Sequence, residues 1–119
     1  MEFKVYQVDS FTDQVFSGNP ACVVPLENWL DDSVLLNIAR ENSVSETAFF
    51  IASGDQYHIR WFTPDIEMDL CGHATLAAAH VLKRHYKIHS EVIQFESNSG
   101  LLAVTCQSEF YTLNLPSRM

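Results

Sequence analysis

Positive charge is scarce in this chain: seven Lys and Arg stand against fifteen Asp and Glu, a net charge of −8 over 119 residues. Phosphate backbones are bound by clustered cations, so this imbalance argues against nucleic acid as a partner. The densest cationic group, Lys83, Arg84, His85 and Lys87, reads as a helix C-terminus, where positive charge complements the helix dipole. Cysteine is also sparse. Cys22, Cys71 and Cys106 are odd in number, widely spaced and without a CxxC, which argues against a disulfide framework and a structural zinc site. Free thiols fit a reducing compartment, and a cytoplasmic protein is expected. No uncharged run is long enough to cross a bilayer, and Met1 to Val5 leads into strand-like sequence without a long apolar leader. Glycine and proline number four each, and every glycine adjoins a turn or cap, so there is no glycine-rich phosphate loop. HExxH and G-x-S-x-G are both missing. Neither a metal nor a cofactor is expected.

What is present is a globular balance: 47% hydrophobic and 18% charged residues, enough for one core and one domain spanning 1–119. Phe3 to Asp9 and Ala21 to Leu26 read as strands, separated by the turn cluster Ser17-Gly18-Asn19-Pro20. Asp31 or Asp32 can cap a helix in which Val34, Leu35, Ile38 and Ala39 recur at helical spacing. Ala48 to Ile51 and Tyr57 to Phe62 form a hairpin about Gly54-Asp55, ended by Thr63-Pro64-Asp65. His73 to Tyr86 is a helix whose first turns are apolar nearly all round. Such a helix must be enclosed, and it is too short for a membrane span. A sheet curled around it satisfies both facts. Three more strands follow, Val92 to Glu96, Leu101 to Cys106 and Phe110 to Leu115, with a turn at Asn98-Ser99-Gly100.

Three segments carry chemistry-bearing residues. They are Asp9-Ser10-Phe11-Thr12 with Phe16 to Ala21; Ser45-Glu46-Thr47-Ala48-Phe49-Phe50; and Arg60 to Pro64 with Glu67 and Leu70-Cys71-Gly72-His73-Ala74-Thr75. In this order and spacing they resemble the N-terminal half of the PhzF-like isomerases, from about Phe3 to Pro116. The resemblance implies an α+β fold: a curled, mostly antiparallel, barrel-like sheet around a central apolar helix, one half of a diaminopimelate-epimerase-like molecule. It also implies an active site in the cleft between two such halves, the second of which is expected to be missing here.

By the same resemblance, Glu46 is the acid/base that moves a proton between substrate carbons. A carboxylate shielded by apolar walls holds its proton more tightly and can exchange it near neutral pH. The alternative is a solvated glutamate at a strand edge. Gly72 and His73 open the enclosed helix, whose free amides suit a substrate carboxylate, with Ala74 beside them. His73 can instead be a capping residue. Asn19 can orient a carboxylate or serve only its turn. Asp9 can anchor that loop. Cys71 lines the site; in related epimerases a cysteine at this place is a catalytic thiol, one of a facing pair. The expected activity is cofactor-independent isomerisation of a small carboxylated molecule. A partner is expected, either a second copy or a separate second half. A non-catalytic interaction module and a Cys71-dependent racemase are the alternatives.

Overall fold

The computed structural model describes residues 4–8, 21–42, 46–69, 72–86, 88, 90–107 and 110–114. Within them lie β1 (Tyr6–Val8), β2 (Ala21–Leu26), α1 (Asp32–Asn42), β3 (Glu46–Ser53), β4 (Gln56–Phe62), β5 (Glu67–Met68), α2 (Gly72–His85), β6 (Val92–Ser97), β7 (Gly100–Gln107) and β8 (Phe110–Asn114). The strands form one sheet in the order β1-β2-β3-β4-β6-β7-β8, with β5 paired to β4.

The sheet is mixed. β2 runs parallel to β3 through α1, and β4 runs parallel to β6 through α2; the remaining pairs are antiparallel. Both parallel pairs are strand–helix–strand crossovers, which favour one hand. Both step the same way along the sheet, but β3 and β4 are antiparallel, so the second crossover starts from a strand of opposite direction. Crossovers of one hand then deliver α1 and α2 to opposite faces.

The core follows this division. On one face α2 packs with Ala21, Val23, Ala48, Phe50, Ile59 and Trp61, and with the inward residues of β6 and β7. On the other, Leu35 and Ala39 of α1 pack with Val24, Phe49 and Phe62. β2 and β3 are therefore covered on both sides, which is why they read as near-continuous apolar runs. Along α2, Ala74, Thr75, Ala77, Ala78, Ala79, Val81 and Leu82 are all buried. The helix touches β2 and β3 near one end of the sheet and β8 at the other, so the sheet curls around it. The expected curl around a central helix is therefore present, and among the described residues no pairing joins β8 to β1 to close it.

Local signals account for most boundaries. The carbonyl of Asp31 accepts the amides of Val34 and Leu35 at 2.9 and 3.1 Å, making Asp31 the cap of α1. Val34, one of the periodic apolar positions of that helix, is 39% exposed and lies outside its buried stripe. Gly54 turns the β3–β4 hairpin at φ +62°, a conformation that favours glycine. Pro25 lies inside β2, beyond the stretch that β1 pairs, where a missing N–H is tolerated. Lys83, Arg84 and His85 occupy the last turn of α2, and Lys83 Nζ donates to the Ser90 carbonyl at 3.0 Å. His85 also stacks on Tyr6, with ring centroids 4.4 Å apart, tying β1 to that end of the helix.

At its other end α2 is fixed by a buried bond from Trp61 Nε1 to Thr75 Oγ1, 2.9 Å long. Replacing Thr75 by the isosteric valine removes the acceptor and strands the indole N–H. Thr75→Val should cost about 1–3 kcal/mol in urea unfolding at unchanged m value.

Candidate functional site at one end of the sheet

Strand directions bring several chain segments to one end of the molecule. β2 and β3 both start there, at Ala21 and Glu46, which pair directly. β1 ends there at Val8, β4 at Phe62 and β6 at Ser97. The first turn of α2 reaches the same end, because Thr75 is held by Trp61, the neighbour of Phe62.

Glu46 is half-buried at the first position of β3. Side chains alternate along a strand, so Glu46 shares a face with Ala48 and Phe50, the face covered by α2. Thr47 faces the other way and its hydroxyl accepts from Asn42 Nδ2 of α1 at 3.3 Å. Glu46 and the N-terminus of α2 therefore share one end and one face of the sheet. Gly72 and His73 form the first two positions of that helix. Ala74 is wholly buried and packs in the core beneath the helix start. Asn19, Asp9 and Cys71 lie outside the described residues, as does the side chain of His73. The described neighbours of Asn19 and Cys71, Ala21 and Gly72, are both at this end.

On the α1 face a polar cluster lies behind this end. Arg60 donates from Nε to Glu67 Oε2 at 2.8 Å and from Nη2 to Glu67 Oε1 at 2.7 Å, a two-pronged pairing. Nη2 also reaches Asp32 Oδ1, at the start of α1, at 2.9 Å. The guanidinium lies 5.4 Å from the ring centroids of both Trp29 and Phe62. Hydrogen bonding to Glu67 raises its proton affinity by more than burial lowers it. Trp29 Nε1 donates to His58 Nδ1 at 3.1 Å beside it. Sequence patterning placed Arg60 and Glu67 in one motif segment and Asp32 at a helix cap, but did not pair them. The available signal was a lone cation on an apolar strand, with an acid across the turn in diagonal register: Glu67 pairs with Phe62, two residues from Arg60.

The segment between β4 and α2 is held elsewhere too. Thr63 Oγ1 accepts the amides of Asp65 and Ile66 at 3.1 and 3.0 Å. Arg40 Nε donates to the Pro64 carbonyl at 3.0 Å, and Ser99 Oγ, from the β6–β7 turn, to the Asp69 carbonyl at 2.6 Å. Cys22 and Cys106 are buried free thiols, and burial pushes both above the usual thiol range. Among the described residues no three His, Cys, Asp or Glu side chains are grouped to hold a metal, and no helix is long and apolar enough to cross a membrane.

A family model described as phenazine biosynthesis-like protein, PhzC-PhzF, matches residues 8–114. An uncharacterized isomerase of Pseudomonas aeruginosa is 48% identical over 118 residues, covering 99% of this chain and 46% of that protein. A crystal structure of a PhzF-family phenazine biosynthesis protein from Enterococcus faecalis matches with a TM-score of 0.87 and 53% identity, over 93% of this chain and 43% of that one. The fold alone is shared with a predicted epimerase of Pseudomonas aeruginosa, at 23% identity and a TM-score of 0.74 over 90% of this chain and 40% of that one. The chain thus spans less than half the length of these relatives. With the family pattern covering nearly all of it, the chain belongs to the PhzC-PhzF family of phenazine biosynthesis-like proteins.

Proposed function

We propose that the chain forms one wall of an isomerase site that moves a proton between two carbons of a small carboxylated substrate without a cofactor. The observation that carries this reading is the common end and face of Glu46 and the α2 N-terminus. The Glu46 carboxylate takes a proton from one carbon, the electron pair left behind shifts through the substrate, and the resulting acid returns the proton to another carbon. Glu46 ends as it began, and no oxidant or reductant is consumed. The backbone amides of Gly72 and His73 hold the substrate carboxylate, where the helix dipole favours negative charge. Asn19, His73 and Cys71 line the pocket, and Ala74 supports it from the core. The protein works in the cytoplasm.

Carbon-acid chemistry requires water to be excluded, and one wall cannot do that. The opposite wall comes from a second half or a second copy of the chain. Sedimentation should therefore show the 119-residue chain self-associating, or binding such a half; a stable monomer at high dilution, indifferent to candidate halves, counts against this.

The central test is deuterium incorporation from heavy water into candidate carboxylated substrates, followed by NMR with the assembled protein. Glu46→Gln should slow exchange at carbon by at least about 100-fold with the fold retained. Unchanged exchange in that variant rules out Glu46 as the acid/base.

Thiolates, not thiols, are alkylated, and a raised thiol pKa leaves less thiolate at neutral pH. Iodoacetamide at pH 7.5 should therefore leave Cys22 and Cys106 unmodified in the native protein, their labelling rising only in stronger base or on unfolding. Substitution of Cys71 separates the two chemistries. Exchange that keeps running in Cys71→Ala fits Glu46, whereas exchange lost in Cys71→Ala and kept in Glu46→Gln assigns the reaction to the thiol.

A further inference from the structure

We infer that Arg60 is a positioning residue for this site: it clamps the strand that launches α2 and so fixes where the helix-start amides stand. This rests on the proposed role of those amides as the carboxylate site. Arg60 lies on the α1 face of the sheet, opposite Glu46 and α2, so it cannot touch a substrate held between them. Its effect must pass through Glu67.

The segment from Thr63 to Asp69 has little to hold it by itself. Its only strand, β5, is Glu67–Met68, two residues paired to the end of β4. A ladder that short fixes few backbone torsions against their entropy. The structure adds side-chain ties from three other elements: Arg40 of α1 at Pro64, Arg60 of β4 at Glu67, and Ser99 of the β6–β7 turn at Asp69. The Arg60 tie is the strongest in kind, because both carboxylate oxygens are engaged by a rigid guanidinium. The same guanidinium is braced by Asp32 and by the rings of Trp29 and Phe62. Glu67 lies a few residues before Gly72, so the clamp sets the origin of the short run that ends at the helix-start amides. Small displacements of binding groups weaken a site steeply, which makes such a hold consequential.

Lysine keeps the charge but lacks the two-pronged fork, so Arg60→Lys isolates geometry from electrostatics. The test is an amide NMR titration of the whole chain with benzoate, a small cyclic carboxylate. In the wild type, Gly72 and His73 should shift saturably. Arg60→Lys and Glu67→Gln should each weaken benzoate by about tenfold, and the double variant should lose little more, because the two residues act as one unit. Val104→Ala, a core cavity in β7, lowers stability without touching the clamp and should leave benzoate affinity unchanged. Amide hydrogen exchange gives a second readout free of any ligand: in Arg60→Lys, protection should fall at residues 75–78, the first amides with partners inside α2, and hold in β6 and β7.

Equal benzoate affinity in Arg60→Lys and wild type overturns the positioning role, as does an equal loss in Val104→Ala. If the wild type shows no saturable shift, the carboxylate role of the helix start fails. A selective loss of protection at residues 75–78 then still assigns the clamp to Arg60, and uniform exchange overturns that as well.

Discussion

A helix with no polar side has to be surrounded, and the rest of this molecule is arranged to surround α2. Ala74, Ala77, Ala78 and Ala79 give it a slender body with little side-chain volume, so the sheet can approach closely on several sides. The curl brings β8 and β2, far apart in strand order, against the same helix. Each small residue therefore helps set the curvature of the sheet, and a bulkier one would push strands apart rather than fill a void. Enclosure covers most of the helix and leaves its two ends, with the partly buried Leu76, His80 and Lys83 along one side. The C-terminal end is occupied by its cations and by Tyr6 stacked on His85, and the amide-rich end is the one proposed to meet a carboxylate.

The antiparallel pairing of β3 with β4 then decides what meets that end. It reverses strand direction midway across the sheet, so the second crossover falls on the face opposite the first. One result is a division of labour between faces. The α2 side carries Glu46 and the helix start. The α1 side carries the charged cluster of Arg60, Glu67 and Asp32, separated from them by the sheet itself. Charges that hold the scaffold are thereby kept on the other side of the sheet from Glu46.

Much of this was legible in the residues, for identifiable reasons. The enclosed helix announced itself by apolar residues on every side, and the β3–β4 and β6–β7 turns by Gly54 and Gly100. The parallel pairs were not legible, because alternation reports which face a residue occupies and not which strand lies beside it. β5 escaped notice because two residues, Glu67 and Met68, carry no period. Val34 sits at a helical spacing from Ile38 yet is exposed, since the strands beneath α1 are met by Leu35 and Ala39 instead. Around the site, Glu46 stood out through the motif it belongs to. Its presence on the α2 face needed the register of β3, and the pairing of Arg60 with Glu67 needed the fold of the turn between them.

The two crossovers also impose an order on self-assembly. The hairpins β3–β4, β6–β7 and β7–β8 close short loops and incur little chain entropy. The union of β4 with β6 must instead gather the whole intervening stretch, α2 included, before the first contact rewards it. The register between them is short, Tyr57 with Phe95 and His58 with Glu96, so α2 has to be seated for the two sub-sheets to stay joined. The helix whose start shares an end of the sheet with Glu46 is thus also the keystone whose arrival completes it.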